Sequence, residues 1–307
     1  MVEVWCVGIL VADVIAKPVG KFPERGKLEL VEEMELHAGG CALNTGLALA
    51  KLGVRVGVIG KVGNDGFGDF LIKQLQQGGV INTGIRRDQT TKTSATMVLV
   101  DEEGERSFVH YLGANAKFTL NDIDFDLLKE GKIFHVAGAF LLSGFDGAPM
   151  AQALRQAKQL GLITSLDTAW DSQGRWLRLI EPVLPHIDVF IPSFEEAKRI
   201  SGKQTPEKVA DFFLDYGIKI VALKMGEEGA FVKNRQEAYQ IPVYPVPVVD
   251  ATGAGDAFVA GFLFGMLRDW DLKTIGQFAN AVGACCVTTM GATAGIKSMQ
   301  ETLQMIK

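Results

Sequence analysis

Strands and helices alternate at a regular spacing in the second half of the sequence, and this alternation constrains the fold more than any other feature. Continuous apolar runs predict buried strands there, separated by segments with helical spacing such as Met150–Leu160. The predicted strands are Ile133–Ala137, Leu162–Asp167, Asp188–Pro192 and Lys219–Lys224. Strands that alternate with helices form parallel sheets covered on both faces. We therefore expect an α/β fold with a three-layer, doubly wound, mostly parallel sheet.

The elements after residue 224 complete this pattern. Gly229–Lys233 and Tyr239–Val249 predict two further strands, and the prolines at 242, 245 and 247 favour a position at the edge of the sheet. Two glycine-rich helices, at about 255–268 and 272–290, close the chain.

The first half of the sequence contains the same elements, interrupted by a β-rich insertion. Outside the insertion, the pattern predicts strands over Val4–Val11 and Val54–Ile59 and helices after Gly39-Gly40 and over Asp65–Gln77. The insertion consists of two segments, at about 17–37 and 92–113. Its strand-like stretches are Leu28–Val31 and a hairpin of Thr96–Val100 and Arg106–Tyr111. No linker divides the chain, so we expect a single domain over residues 1–307.

Composition and charge exclude several classes of protein. Apolar residues make up 48% of the chain and the net charge is −5, which excludes intrinsic disorder and gives no basic excess typical of duplex nucleic-acid binders. The four cysteines form neither a C-x-x-C pair nor a disulfide framework. The N-terminus lacks a basic signal segment, and the first apolar run is broken by Asp13 and too short to cross a bilayer. We expect a cytoplasmic protein with no nucleic-acid or membrane partner.

The segment Asp250–Phe258, with the sequence DATGAGDAF, carries the clearest functional signal. It follows a strand and opens a helix, where glycines let a ligand approach the backbone and free N–H groups favour an anion. The main-chain donors of such an anion hole would be Gly253, Ala254, Gly255 and Asp256. The Asp256 carboxylate would repel a phosphate unless it accepted a proton from the attacking nucleophile. An ordinary helix start, with Asp256 favourable to the helix dipole, is the alternative.

Two common nucleotide-binding motifs are excluded. The pattern at this site is G-x-G-x-x-F and lies late in the chain, so it lacks the third glycine and the position of the Rossmann fingerprint. The P-loop pattern G-x-x-x-x-G-K-[ST] occurs nowhere in the sequence. A nicotinamide dehydrogenase is therefore disfavoured.

Two motifs together resemble the ribokinase-like sugar kinases, also called the phosphofructokinase-B type. Asp250–Phe258, followed by Gly261, matches the C-terminal signature D-[TA]-[TV]-G-A-G-D-x-[FL]-x-x-G of that family. The N-terminal signature is matched by Gly39-Gly40, Asn44, Ala48, Leu52-Gly53 and the segment 59–68. The two motifs lie about 200 residues apart in the family's order, and the resemblance covers essentially the whole chain. It implies a ribokinase-like fold and an ATP-dependent kinase for a small carbohydrate.

The resemblance assigns roles on the acceptor side of the site. Asp256 would be the catalytic base that deprotonates the acceptor hydroxyl. The amides of the three preceding residues, Gly253, Ala254 and Gly255, would hold the charge of the transferring phosphoryl group. The positions matched to sugar binding are Asp13, Gly39, Gly40 and Asn44. The alternative for Asp13 is a turn residue at a strand end, although an acidic break in so apolar a run favours a site. The alternative for the glycine pair is a tight turn before a helix.

The resemblance also assigns roles on the nucleotide side. Glu196 matches the acidic residue of the N-x-x-E motif that organises Mg²⁺ and phosphate through water, although Ser193 replaces the family's Asn. Asp167, at the end of a predicted strand, is a second candidate, with a structural cap as the alternative. The positions matched to ATP binding are Lys224, Gly226, Gly229 and Asn280. Asp250 and Thr252, with the loop 286–295, match a region that binds K⁺ through carbonyl groups in some members.

The β-rich insertion resembles the family's lid, which closes over the sugar and excludes water. Lid sheets in the family often form dimers, so we expect a homodimer through the lid. Lys27 and Arg106 lie in the lid segments and would suit an anionic acceptor, or are solvated strand residues. Leu112 stands where keto-deoxygluconate kinases place an arginine, which favours a neutral sugar or polyol of the fructose or ribose type.

Two other functions remain as alternatives. A nucleoside kinase of the same family would need an apolar pocket for the base, for which the lid supplies Phe108 and Tyr111. A non-catalytic sugar or nucleotide sensor that kept the fold is less favoured, because Asp256 and the G-A-G sequence before it are intact.

Overall fold

The computed structural model describes residues 1–306 and contains two β-sheets. The nine strands of the large sheet are β1 (Val4–Gly8), β4 (Val56–Gly63), β5 (Ile81–Asp88), β8 (Ile133–Ala139), β9 (Ile163–Thr168), β10 (Val189–Phe190), β11 (Ile220–Lys224), β12 (Ala230–Lys233) and β13 (Ala238–Ile241). They lie in the order β13–β12–β11–β10–β9–β8–β1–β4–β5. The pairs β11–β12 and β12–β13 are antiparallel and the other pairs are parallel. This is the mostly parallel sheet predicted from the sequence.

Helices cover both faces of the large sheet. Within residues 1–306 they are α1 (Cys41–Lys51), α2 (Gly66–Gln77), α3 (Ala148–Gln159), α4 (Trp176–Ile180), α5 (Phe194–Ser201), α6 (Pro206–Asp215), α7 (Ala254–Leu267), α8 (Leu272–Cys286) and α9 (Met299–Gln304). Buried residues of α1, α2, α7 and α8 form one core, and those of α3, α5 and α6 form the other. Alternate residues of β1 enter opposite cores, so the whole strand is apolar. The predicted three layers are confirmed.

The prediction of one strand over Val4–Val11 is wrong. The chain leaves the large sheet after Gly8 and begins β2 (Val11–Lys17), which belongs to the small sheet. At the crossing, the buried Asn115 side chain takes the place of a strand partner. Its Oδ1 accepts from Leu10 N at 3.2 Å and its Nδ2 donates to Leu10 O at 3.0 Å. Both halves of the run are buried, so apolar character could not reveal a change of sheet.

The small sheet has four strands: β2, β3 (Glu33–Gly39), β6 (Ala95–Val100) and β7 (Arg106–Tyr111), in the order β3–β2–β6–β7. The predicted hairpin is confirmed as β6 and β7. The small sheet begins at residue 11, earlier than the predicted insertion at 17. The predicted strand at Leu28–Val31 is wrong, since β3 starts at Glu33.

The register places different chemistry on the two faces of the small sheet. Asp13 pairs with His37 and Thr96, and Thr96 pairs with His110, so these four polar residues share one face. The other face carries aliphatic and aromatic side chains at the pairs next along the strands. They are Val14, Met34, Leu36, Met97, Val109 and Tyr111. All but Val14 are exposed.

The remaining differences from the sequence pattern lie near the ends of elements. Of the strand predicted over Tyr239–Val249, only β13 forms, and residues 242–249 run as a loop without strand pairing. The prolines at 242, 245 and 247 lack the N–H groups that a ladder needs. Strand β5 was not predicted, and α8 ends at Cys286 rather than near 290. Among residues 1–306, no helix has the length and apolarity needed to span a bilayer.

Candidate active site

The loop before α7 has the geometry of an anion-binding turn. Gly253 caps the helix with φ of 78°, in the left-handed region, and an added Cβ there would overlap the carbonyl oxygen of Ala292. Within residues 1–306, the N–H groups of Gly255 and Asp256 have no hydrogen-bond partner, as expected for the first turn of a helix. The N–H of Ala254 donates to Ala251 O at 3.2 Å, so this predicted donor is already engaged.

The Asp256 carboxylate faces α1. Asn44 Nδ2 donates to Asp256 Oδ2 at 2.8 Å. Burial raises the pKa of Asp256, while the Asn44 hydrogen bond and the Lys224 charge act in the opposite direction. Asn44 Oδ1 is buried and has no hydrogen-bond partner among residues 1–306. This amide oxygen is therefore free to accept a hydrogen bond from a ligand hydroxyl beside Asp256.

An ammonium group lies beside the anion-binding turn. Lys224 Nζ, at the end of β11, is 2.6 Å from Asp167 Oδ1, at the end of β9. It is also 3.4 Å from the position that a Cβ on Gly255 would take. Burial lowers the pKa of Lys224, but Asp167, Glu196 and Asp256 together raise it. Lys224 therefore stays charged, lies beside the turn and lines the cavity described below.

Burial raises the pKa of Asp167 to about 7, against the pull of the Lys224 ammonium and with a further increase from Glu196. This carboxylate is almost completely buried, at 3% side-chain exposure. Asp167 pairs with Lys224 and also accepts a hydrogen bond from Thr168 N at 2.8 Å, the kind of local contact that a strand-end cap makes.

Glu196 is held by two other groups. Its Oε2 accepts from Thr168 Oγ1 at 2.8 Å and from Ser193 N at 3.1 Å, while Ser193 Oγ accepts from Glu196 N at 3.2 Å. Ser193 and Glu196 thus form a capping box at the start of α5. Ser193 therefore holds the Glu196 carboxylate through its own N–H group, while its hydroxyl group accepts from the N–H of Glu196.

A cavity of about 380 Å³ lies between the α7 turn, the end of β11 and the loop after β13. Its volume is in the range of small-molecule sites. Four of its lining residues were matched to ATP binding in the sequence: Lys224, Gly226, Gly229 and Asn280. Its apolar wall is formed by the proline-rich loop, by α7, by α8 and by the residue that follows α8. The residues are Val243, Tyr244, Pro245, Val246, Val248, Phe258, Ala284 and Val287. Asn280 Nδ2 donates to the carbonyl oxygens of Ile241 and Pro242, both at 3.0 Å, and so fixes that loop.

Asp13 and the glycine pair lie together at the start of α1. An added Cβ on Gly39 would overlap the Asp13 carboxylate, and one on Gly40, where φ is 95°, would overlap the Ile9 carbonyl oxygen. Burial raises the pKa of Asp13, whereas hydrogen bonding to Thr96 and the charge of His37 lower it. The two glycines therefore bring the small-sheet carboxylate close to the helix that carries Asn44.

Asp250 and Thr252 contact an arginine of the small sheet. Arg106 Nη2 donates to Asp250 Oδ1 at 2.8 Å, and its Nη1 donates to Thr252 Oγ1. Sequence reasoning placed Arg106 in the lid but found no partner for it, because the two positions are 144 residues apart. It also missed the bonds of Asp256 to Asn44 and of Lys224 to Asp167. Each of these three contacts joins charged or amide residues that lie near the ends of predicted strands or the starts of helices. That position was the one signal in the sequence that could have indicated them.

Comparison with known proteins agrees with this arrangement. The pfkB family carbohydrate kinase profile matches residues 1–299. "Probable fructokinase-5" of Arabidopsis thaliana is 30% identical over 284 residues, covering 88% of each chain. The 2-dehydro-3-deoxygluconokinase of Bacillus subtilis is 29% identical and covers 91% of this chain and 89% of its own.

Solved structures share the whole fold. The crystal structure of ribokinase from Thermotoga maritima superposes with a TM-score of 0.86 at 27% identity, over 100% of this chain and 99% of that one. The fructokinase with bound ATP from Xylella fastidiosa has a TM-score of 0.85 at 26% identity, over 99% and 98% of the two chains. The matched motifs, the sheet order and these similarities show that the chain belongs to the pfkB family of carbohydrate kinases.

Proposed function

We propose that this protein transfers the γ-phosphoryl group of ATP to a hydroxyl group of a small neutral carbohydrate. One observation carries the proposal: the turn before α7 faces two different environments. Ala254 and Gly255 line the cavity matched to ATP, whereas Asp256, the next residue, contacts Asn44 on the side of Asp13. A base and an anion-binding turn placed between a nucleotide cavity and a polar acceptor pocket suit in-line phosphoryl transfer.

In the proposed reaction, Asp256 accepts the proton of the acceptor hydroxyl as its oxygen attacks the γ-phosphorus and the bond to the ADP oxygen breaks. Asn44 holds one carboxylate oxygen of Asp256 and offers its free Oδ1 to a second hydroxyl group. The N–H of Gly255 and the Lys224 ammonium lie where negative charge develops on the phosphoryl oxygens. Gly253 and Ala254 complete the turn.

Mg²⁺ fits the acidic side of this site. The carboxylates of Glu196 and Asp167 are hard oxygen donors, and both are coupled electrostatically to Lys224 next to the turn. They would hold the hydrated ion, which when bound neutralises phosphate charge. Among residues 1–306, no group of three or more His, Cys, Asp or Glu side chains is arranged to bind a metal ion. Water and phosphate oxygens would therefore be the remaining ligands.

Two features support a neutral acceptor. Asp13 presents a carboxylate to the acceptor pocket, which would repel an anionic sugar. The lid cations proposed for an anionic acceptor are both engaged: Lys27 pairs with Glu24, and Arg106 pairs with Asp250. A neutral sugar or polyol needs neither of them.

The same proposal takes the chain as one kinase domain whose small sheet is a lid over the acceptor. Its polar face carries Asp13, Thr96, His37 and His110, which suits contacts with hydroxyl groups. A K⁺ ion near Asp250 and Thr252 and a cytoplasmic location stay predictions from the sequence.

Glu196→Gln is expected to raise the Mg²⁺ concentration needed for half-maximal activity by about tenfold, because one carboxylate charge is lost while the capping box can still form. A Mg²⁺ titration at saturating ATP measures this. The matched control is Glu195→Gln, which neutralises the neighbouring exposed carboxylate and should leave the titration unchanged. An unaltered Mg²⁺ requirement in Glu196→Gln would remove this residue from the metal site.

We further propose that the apolar face of the small sheet forms a homodimer. Met97 is central in it and 53% exposed, and uncovered apolar faces of this kind mark interaction sites. Met97→Glu is expected to yield monomers in sedimentation-equilibrium runs in which the wild-type chain is dimeric. Leu160→Glu, at an exposed apolar position after α3, serves as the control and should remain dimeric. A monomeric wild-type protein would contradict the proposal.

A coupled assay of ATP consumption tests the function itself. Purified protein with Mg-ATP would be offered hexoses, pentoses, polyols, keto-sugar acids, sugar phosphates and nucleosides, with the Asp256→Asn variant alongside. We expect turnover with one neutral sugar or polyol that is lost in the variant. Preferred turnover of a sugar acid, a sugar phosphate or a nucleoside would overturn the proposed acceptor class, and no turnover with any acceptor would favour the sensor alternative.

A further inference from the structure

Arg106 joins the two sheets at the loop that precedes the anion-binding turn. It is the first residue of β7 and lies on the same face as Phe108 and His110, because alternate residues of a strand share a face. Its guanidinium group reaches away from the small sheet to Asp250 and Thr252, as described above. Arg106 thus links the sheet that covers the acceptor to the segment that continues into Gly253 and Gly255.

The partner of this arginine is a buried carboxylate. The Asp250 side chain is 2% exposed and accepts N–H groups from Thr252 at 2.8 Å and from Gly291 at 2.9 Å. Among residues 1–306, Arg106 is the only residue that forms a salt bridge with Asp250. A buried carboxylate that loses its counter-charge is strongly unfavourable. The position of Arg106 therefore determines whether the loop 250–252 can keep this arrangement.

We propose that Arg106 is a positioning residue that couples the lid to phosphoryl transfer: with the small sheet closed, its guanidinium group holds Asp250 and Thr252 and thereby fixes the anion-binding turn. This inference rests on the proposed function. It means that the turn is fully ordered only when the sheet lies over the acceptor pocket. It also means that the Arg106 guanidinium group supplies the positive charge at Asp250 in the wild-type protein, in place of the K⁺ ion predicted there from the sequence.

Two variants and a matched control test the coupling. Arg106→Met removes the charge but keeps much of the side-chain volume, and Arg106→Lys keeps the charge but loses the two-pronged contact. The control is Lys17→Met, which removes another cation of the small sheet, one whose partner Glu33 lies in the same sheet. We expect kcat to fall by about 10- to 100-fold in Arg106→Met, with KM for ATP changing much less. Arg106→Lys should be intermediate, and Lys17→Met should resemble the wild type.

Rescue separates positioning from a general loss of structure. Guanidinium chloride at non-denaturing concentration should restore part of the kcat of Arg106→Met, and so should K⁺, whereas tetramethylammonium at equal ionic strength should not. The double variant Arg106→Met/Asp250→Asn should be no worse than Arg106→Met alone, because the charge that needed a partner is gone. Additive losses in the double variant would overturn the coupling.

A second measurement needs no substrate, so it separates this inference from the proposed function. Hydrogen exchange of the hydrogen-bonded amides of Asp250, Thr252 and Ala254 should be faster in Arg106→Met than in the wild type and unchanged in Lys17→Met. Unchanged exchange together with unchanged kcat would overturn the inference. A rise in KM for the acceptor alone would also overturn it, since Arg106 would then bind the acceptor rather than position the turn.

Discussion

Asp256→Asn is expected to lower kcat by about 10²–10⁴-fold, the usual contribution of a general base, while the affinity for ATP changes little. Asparagine cannot accept the hydroxyl proton, but it has nearly the same volume and its amide oxygen can still accept from Asn44 Nδ2. The change therefore removes the chemistry without disturbing the contact between α1 and α7. Steady-state kinetics and ATP titration by calorimetry measure the two quantities.

The pKa of Asp256 supplies an independent readout. Since burial raises this pKa, kcat should rise with pH through a value above that of an ordinary carboxyl group. The folded protein binds more protons than the unfolded chain between the ordinary and the raised pKa, so this group makes the free energy of unfolding fall as pH increases through that window. Asp256→Asn has no carboxyl group to ionise here, so its free energy of unfolding should not fall in this way. It should unfold at the same or a higher temperature than the wild type.

Asp69→Asn is the matched control, because it also neutralises a carboxylate in the first turn of a helix, but at an exposed position that pairs with Arg87. Its kinetics should be those of the wild type. If Asp256→Asn kept near-wild-type turnover, Asp256 would lose the role of base. If it lost activity together with cooperative unfolding, the residue would be structural.

The parallel part of the fold was predictable because periodicity and burial agree there. Each strand predicted between residues 130 and 224 has a counterpart within one or two residues in β8, β9, β10 and β11, except that β10 is shorter. The strand over Val4–Val11 failed for the opposite reason: apolar character records burial, and both β1 and the start of β2 are buried. What divides them is the contact of Asn115 with Leu10, between positions 105 residues apart. No local pattern contains such a contact.

In the candidate site, too, the residues were predictable but the contacts between them were not. Motifs predicted Asp256, Asn44 and Lys224 as functional, and the structure brings all three around the turn before α7. Their mutual contacts were not predictable, because they depend on how α1, α7 and β11 are packed. Lys224 illustrates this: the sequence matched it to ATP binding, while the structure adds a close ion pair with Asp167 and a place beside Gly255.

Gly253→Ala is expected to reduce kcat by at least about 100-fold, because the turn cannot keep its shape with a side chain at this position. The residue has φ of 78°, which costs a non-glycine residue about 1–2 kcal/mol. An added Cβ would also overlap the backbone of Ala292, which must move or push the turn away. Either movement displaces the N–H of Gly255 from the phosphoryl group. Steady-state kinetics and chemical denaturation measure the two effects.

Gly79→Ala separates strain from displacement. Gly79 has φ of 73°, close to that of Gly253, but a Cβ there meets no atom within 4 Å. In both variants the free energy of unfolding should therefore fall by a similar amount because of backbone strain. In Gly253→Ala it should fall further because of the overlap. Only Gly253→Ala should have a reduced kcat. Equal kcat in the two variants would show that the turn tolerates displacement. The anion-binding role would then have to pass from the α7 turn to Lys224 and the metal ligands, because these are the remaining groups placed to balance the phosphoryl charge.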